Sequence, residues 1–400
     1  MYTAPHQFEP LMPSDARMEP LLAKAHDLSR AATLLAGTRV PPELRTLLRS
    51  MNSYYTNRIE GQHTGPHEID QALRKDFSQD TKLAAKQRLA VAHIEAEQAL
   101  EQRYAGAEGA RALYAPDAVQ ALHQALFGRL PVADLLTDEG EPITPGQLRQ
   151  REVQVGAHVA PAFASVPALL QRWAQVYGGV RRGEAALVAM ACAHQWLGWV
   201  HPFVDGNGRV MRLHTHTLLS ALGYTGGLWS PLRGFARSTE RYYALLADAD
   251  SLRRGDLDGR GNLSEQALIA WVDYVLDVCQ DQVGFMANML DFDTLKARIE
   301  ACLVFEATVE KSGVRQESLR GLHYLFLSGD EMMRGDFKAM LGMSDRGATD
   351  ALGALVKRGL LKSDSPQGRV RFGLPQHALR FLFPRLWPEA EADVAPGGQA

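Results

Sequence analysis

Three cysteines in 400 residues, Cys192, Cys279 and Cys302, are too few and too far apart for a disulfide framework. No Cys-x-x-Cys and no zinc-ligand spacing occurs, and each lies in an apolar helical context, as expected of reduced core residues in a cytoplasmic protein. An excess of one charge is also lacking. With 43 Lys and Arg against 46 Asp and Glu, the formal net charge of −3 excludes coating of nucleic acid or membrane by bulk charge. No apolar run reaches the ~20 residues that a bilayer span requires. The most hydrophobic stretch, 185–200, carries His194 and Gln195 and reads as a core helix. The opening MYTAPHQFEPLMPSDAR has no basic start followed by an apolar run, so no signal peptide is expected. The chain that remains, 46% hydrophobic and 22% charged, is an ordinary globular one. Its length calls for two or three domains.

Taken in order, the Pro-rich residues 1–17 are expected to wrap the surface. The pattern over 18–50 predicts two helices split at Pro41 and Pro42, and 52–61 a further helix ended by Gly61. Three helices follow within 65–130, with His93 and His123 in surface or packing roles. From 131 to 166 the texture changes to Gly, Pro and the alternating Val153 and Val155, which predicts a short hairpin. Core helices are expected over 165–180 and 184–200, with His194 packed. A long amphipathic helix is expected at 264–290, and a bridging helix at 293–309.

The chain is organised around 201–212, His-Pro-Phe-Val-Asp-Gly-Asn-Gly-Arg-Val-Met-Arg, set between the apolar runs 184–200 and 210–222. Asp-Gly and Asn-Gly are turn chemistry, and a glycine turn feeding a helix aims several N–H groups and the positive end of the helix dipole at one spot. That is an anion cradle suited to phosphate. His201 titrates near neutrality and can take a proton from an attacking hydroxyl. Asp205 is a hard oxygen ligand of the kind that holds Mg²⁺ against phosphates. Asn207 can hydrogen-bond a phosphate oxygen. Arg209 and Arg212, three apart, can grip phosphates with forked donors. Singly, each residue also suits a helix–loop–helix turn with a capping Asp and surface arginines; together they describe phosphoryl chemistry.

This stretch resembles the signature of the Fic family. The resemblance implies AMP transfer from ATP to a protein Ser, Thr or Tyr hydroxyl, with His201 as base and Asp205 holding Mg²⁺. It places the ATP phosphates on Gly206, Asn207, Gly208 and Arg209, with Arg212 at the γ-phosphate and Phe203 anchoring the loop in the core. The related Doc branch, which transfers phosphate, carries lysine where this chain has Gly208, which favours adenylyl transfer. Upstream, Thr56-x-x-x-Glu60-Gly61 resembles the family's inhibitory motif. A carboxylate beside Arg212 would occupy the guanidinium meant for the γ-phosphate. In some relatives that glutamate aligns water for AMP removal, so a reverse activity stays open. The resemblance also implies a β-hairpin flap at about 151–161, after Pro145, Gly146 and Arg149, where a target segment docks by strand addition. Tyr242 and Tyr243 resemble the aromatic pair on the adenine side, and Asp250 stands where relatives carry an asparagine that contacts the base. Family habit suggests a homodimer.

Residues 312–375 read as three short helices and a hairpin, resembling a winged helix with Ser344 as N-cap and a recognition-type helix at 345–358. Ten Lys and Arg against seven Asp and Glu make it mildly basic, leaving DNA and protein contact both open. The expected architecture is all-α: a Fic helical core with a small flap and a C-terminal winged helix-turn-helix domain. Its divisions are a helical region 1–110 with the inhibitory helix at about 50–61, a catalytic core 111–290, a connecting helix 291–311, a winged-helix domain 312–387 and a disordered tail 388–400. A rival reading is a transcriptional regulator whose core senses nucleotide.

Overall fold

The computed structural model describes residues 2–156, 158–180 and 183–386; the tail expected over 388–400 lies outside them. Two compact units divide the chain: 1–36 with 49–64 and 68–284, and 37–48 with 65–67 and 285–400. No described helix is long and apolar enough to cross a membrane. The fold is helical, with two short antiparallel hairpins as its only sheets among the described residues.

In the first unit, Glu184–Val200 and Asn207–Ala221 are the central pair, packed on each other and buried nearly all round. The first coincides with the apolar run 184–200 and the second starts three residues before the run 210–222, and a helix apolar on every face must be enclosed on every face. Asp15–Ala36 and Val166–Tyr177 cover Glu184–Val200, while Thr81–Arg103 and Pro116–Phe127 cover Asn207–Ala221. Trp173, Trp196 and Trp271 lie fully buried around the pair, and the Trp173 and Trp271 indoles donate to the Ala193 and Ala191 carbonyls at 3.1 and 2.7 Å. All three cysteines are buried and free.

The structure corrects three expectations. The split at Pro41 and Pro42 is present, but 42–59 form one continuous helix where two were expected, divided near residue 51. The N-terminal segment does more than wrap the surface. Phe8 is fully buried, stacked on Trp199 at 5.1 Å and edge-on to Trp196 at 5.4 Å. A short helix, Gly106–Ala112, adds a fourth to the three helices expected within 65–130.

The second unit contains helices Phe292–Thr308, Leu319–Ser328, Arg334–Met340 and Asp345–Lys357. Ser344 caps the last of these, its hydroxyl accepting from Gly347 N at 3.3 Å. Leu361–Lys362 then pairs antiparallel with Arg371–Phe372, and Met332 bridges Val370. Glu306, fully buried, receives the Arg358 guanidinium in two bonds of 2.6 and 2.7 Å.

Candidate active site

The break between the two central helices makes the site. Pro202 cannot donate to the helix and disfavours α geometry in the residue before it. His201 accordingly closes the first helix in the left-handed region, at φ 48° and ψ 62°. Gly206 precedes the second helix at φ 78°, and a Cβ there would lie 2.3 Å from the Phe127 ring. Only glycine fits. Between them Phe203 is fully buried, stacked on His123 at 4.0 Å, with His123 stacked on Phe127 at 4.6 Å.

His123, assigned a surface or packing role from sequence, is a buried positioning residue for this loop. Gly146 N donates to its Nδ1 at 2.8 Å, which makes Nε2 the protonated nitrogen facing the Asp205 carbonyl at 3.2 Å. Burial holds its pKa down to about 4, so the ring is neutral. Asn207 is also spent on the loop. Its Oδ1 accepts from Phe203 N and its Nδ2 donates to Phe203 O, both at 2.9 Å. These two bonds clamp the turn in shape, and Asn207 also lines the cleft that holds His201 and Asp205.

His201, Asp205, Gly206, Asn207, Gly208 and Glu60 line one cleft of about 550 Å³, together with Asp138, Glu152 and the hairpin residues Val153, Gln154 and Val155. Burial first, then the positive His158 and Arg149, lower the His201 pKa to about 4, so the imidazole is a free base at neutral pH. A hydrogen bond to the Gly198 carbonyl fixes the N–H on one ring nitrogen and leaves the other as acceptor. Asp205 accepts from Gly206 N at 2.5 Å through Oδ1.

The two arginines turn to the helix Pro42–Ile59. Arg209 donates from Nε to Asn57 Oδ1 at 3.1 Å. Arg212, with no exposed side-chain surface, donates from Nε to Thr56 Oγ1 at 2.8 Å, from Nη2 to Thr56 O at 3.2 Å, and from Nη2 to Glu60 Oε1 in a short ion pair. Burial pushes the Glu60 carboxyl up, but Arg212, Arg209 and the Arg212 hydrogen bond bring it below its ordinary value. Gly61 follows at φ 70°, turning the chain after this contact. Arg212 Nη1 is buried and has no partner among the described residues. A Cβ built on Gly208 would lie 3.1 Å from it and 2.2 Å from Glu60 Oε1. Position 208 therefore admits no side chain while Glu60 is in place.

The tyrosine pair separates. Tyr242 is fully buried, its hydroxyl 2.9 Å from His194 Nε2, which leaves no face for a base. Tyr243 is half-exposed and donates to the Ile59 carbonyl at 3.0 Å. Neither lines the cleft. The Asp250 carboxylate is likewise occupied, accepting from Gln195 at 2.7 Å and meeting His158 Nδ1 at 3.1 Å.

The hairpin pairs Gln154 with Val159 and Val155 with His158. Its stem is held by Arg149, which is buried and donates to the carbonyls of His201 at 2.8 Å, Arg151 at 2.9 Å and Pro161 at 2.5 Å. On the second strand His158 spans Asp250 and the Trp199 carbonyl, the latter at 3.0 Å. Burial lowers its pKa, but the Asp250 bond outweighs that and raises it overall.

Residues 114–219 match the Fic/DOC family. Over 107 residues the chain is 36% identical to protein adenylyltransferase Fic of Drosophila mojavensis, covering 26% of this chain and 21% of that protein. Over 85 residues it is 40% identical to the Drosophila virilis protein of the same name, covering 21% and 18%. The chain thus spans about a fifth of the length of these curated relatives. Among solved structures, a Fic family protein from Desulfovibrio desulfuricans G20 superposes with a TM-score of 0.51 at 19% identity, over 94% of this chain and 99% of that one. That likeness is one of fold.

Arg149→Ala should free the hairpin without unfolding the central helices. Hydrogen exchange of the amides over 151–161 should quicken several-fold, and Arg149→Lys, lacking the planar fork, should not restore protection. Unchanged exchange in both variants would contradict the anchoring role.

Proposed function

We propose, from the premise that residues 114–219 are a Fic/DOC family domain, that this chain transfers AMP from ATP to a hydroxyl of a target protein and that Glu60 restrains the transfer. One observation carries the reading: a buried, unpartnered Arg212 donor beside the N–H groups that open Asn207–Ala221. A buried donor without an acceptor costs ~1–3 kcal/mol, and a phosphate oxygen would satisfy it. The cleft volume falls in the range of small-molecule sites.

In this reading the acceptor nitrogen of His201 takes the proton of the target hydroxyl. The hydroxyl oxygen bonds to the α-phosphorus of ATP, and the bond to the β-phosphate oxygen breaks, releasing pyrophosphate. The backbone at 206–208 holds the α- and β-phosphates, with Arg209 and Arg212 on the outer ones once they leave Asn57 and Glu60. Asp205 fits a magnesium ion: its carboxylate faces the cleft, and one or two carboxylates suffice beside phosphates. Mg²⁺ bound there would neutralise phosphate charge. Half-exposed Val155 and Val159 and the free hairpin edge suit a target segment adding as a strand. A Ser, Thr or Tyr acceptor fits His201 equally, and AMP removal would use the same groups with water in place of the hydroxyl.

For the second unit, three helices followed by a paired hairpin support a winged-helix reading. Its hairpin arginine, Arg371, is already held by Glu43, Asp364 and Glu331 at 2.7, 2.8 and 3.3 Å. That neutralised charge favours a protein partner over a DNA backbone.

Incubation with ATP and Mg²⁺ followed by intact-mass spectrometry tests the reading. An added AMP should appear on Glu60→Gly, little on wild type and none on Glu60→Gly/His201→Ala. Equal labelling of wild type and Glu60→Gly would remove the restraint and leave the chemistry. The acid limb of kcat/KM for Glu60→Gly should fall at about pH 4 or below, following His201 without the Glu60 charge that raises it; a limb at pH 6.5 would mean an ordinary solvated imidazole.

A further inference from the structure

A second polar cluster lies in the same unit, outside the cleft. The helix Thr81–Arg103 carries His93, Glu97 and Glu101 at four-residue intervals, hence along one face, and His216 meets them from Asn207–Ala221. His216 Nε2 lies 3.0 Å from Glu101 Oε1 and 3.4 Å from Glu97 Oε1. One atom from each of these three residues falls within 4.8 Å of the others. Two tetrahedral ligands at ~2.0–2.1 Å from a zinc ion stand about 3.4 Å apart, so the spacing is that of a ligand set.

The carboxylates are oriented from outside. Arg49 Nη2 donates to Glu101 Oε2 at 2.7 Å, and Asn52 Nδ2 to both oxygens of Glu97 at 3.0 and 3.2 Å. Metal-binding carboxylates are commonly held by such outer partners.

A proton on His216 could by itself bridge the two glutamates. What it does not explain is His93. That ring is fully buried, neither nitrogen has a hydrogen-bond partner among the described residues, and Nδ1 stands 4.0 Å from Glu97 Oε2. An imidazole enclosed without a partner is unfavourable, and a metal bond is what would use it.

We infer that His93, Glu97, Glu101 and His216 form a site for a divalent transition ion of the zinc class, separate from the proposed magnesium position at Asp205. Glu97, Glu101 and His216 form the close group and His93 approaches it at Glu97, 4.0 Å away. Two imidazoles and two carboxylates drawn onto one ion would make a closed set, the pattern of a structural site with no position left for substrate. Its orienting residues Arg49 and Asn52 precede Thr56 and Glu60 on one helix, and His216 follows Arg212 by one turn on another. The ion would therefore tie the helix Thr81–Arg103 to Asn207–Ala221, and through Arg49 and Asn52 to the helix Pro42–Ile59 that leads into the Glu60 contact with Arg212. The inference does not depend on the transfer reaction.

The test uses the full chain without a histidine tag, stripped with chelator and then equilibrated with Zn²⁺. Elemental analysis after gel filtration should find close to one equivalent of zinc, and Co²⁺ in its place should give the visible absorption of a tetrahedral ion. His93→Gln and Glu97→Gln should each weaken Zn²⁺ at least about tenfold, as losses around metal sites do. No retained zinc in wild type would overturn the site. So would Zn²⁺ affinity unchanged in both variants, or zinc that raises the melting temperature of wild type and His93→Gln equally. If a variant fails to fold, the stripped wild type decides alone, by whether Zn²⁺ raises its melting temperature and Co²⁺ gives the tetrahedral spectrum.

Discussion

A guanidinium with no exposed surface must find acceptors inside the protein or draw an anion in from outside. Arg212 does the first through Thr56 and Glu60 and keeps one nitrogen, Nη1, without a partner. Everything else about the site is arranged around that arginine. It sits one turn into the helix Asn207–Ala221, behind the glycine turn whose N–H groups face the cleft. The residues that occupy it come from a helix about 150 positions earlier in the chain. Glu60 holds Arg212 through Nη2, and a side chain at 208 would collide with Glu60 before it reached the arginine. The smallness of Gly208 and the position of Glu60 are thus one constraint seen from two sides.

The loop around this arginine is stiff for separate reasons. Phe203 is stacked on the buried His123, Asn207 clamps the Phe203 backbone, and Arg149 ties the hairpin stem to the His201 carbonyl. His123 and Arg149 do not line the cleft, and Asn207, which does, spends its amide on the Phe203 backbone. Their bonds are all used to hold other groups, so a proton acceptor and a set of backbone donors are positioned before any substrate arrives, which lowers the cost of binding in a reactive geometry.

The sequence made the central pair of helices legible, because helices apolar on all faces leave a plain pattern. The break between them was equally plain in Pro202 and the glycines. The Glu60 assignment needed the family resemblance, since no local pattern links residues so far apart in the chain. The misses share one physical cause, polar residues turned inward. Asn52 and Ser53 interrupt the apolar period of Pro42–Ile59 because they bond Glu97 and the Ala90 carbonyl in the interior, and that made one helix look like two. His93 and His123, given surface or packing roles, are both packed inside. The Asn207 amide clamps the Phe203 backbone, a use no sequence pattern shows. Tyr242, read as lying near a base, is held by His194, and Asp250, where relatives carry a base-contacting asparagine, is held by Gln195 and His158.

The most direct measurement is the equilibrium affinity for ATP with Mg²⁺, by calorimetry, in wild type and in Glu60→Gln. The substitution keeps the shape of the side chain and removes the charge that holds Arg212. If Glu60 occupies the place of a phosphate, Glu60→Gln should bind at least about tenfold more tightly, the equivalent of 1.4 kcal/mol. Equal affinities in the two proteins would mean that the Arg212–Glu60 contact does not compete with nucleotide, and the account would fail at its centre.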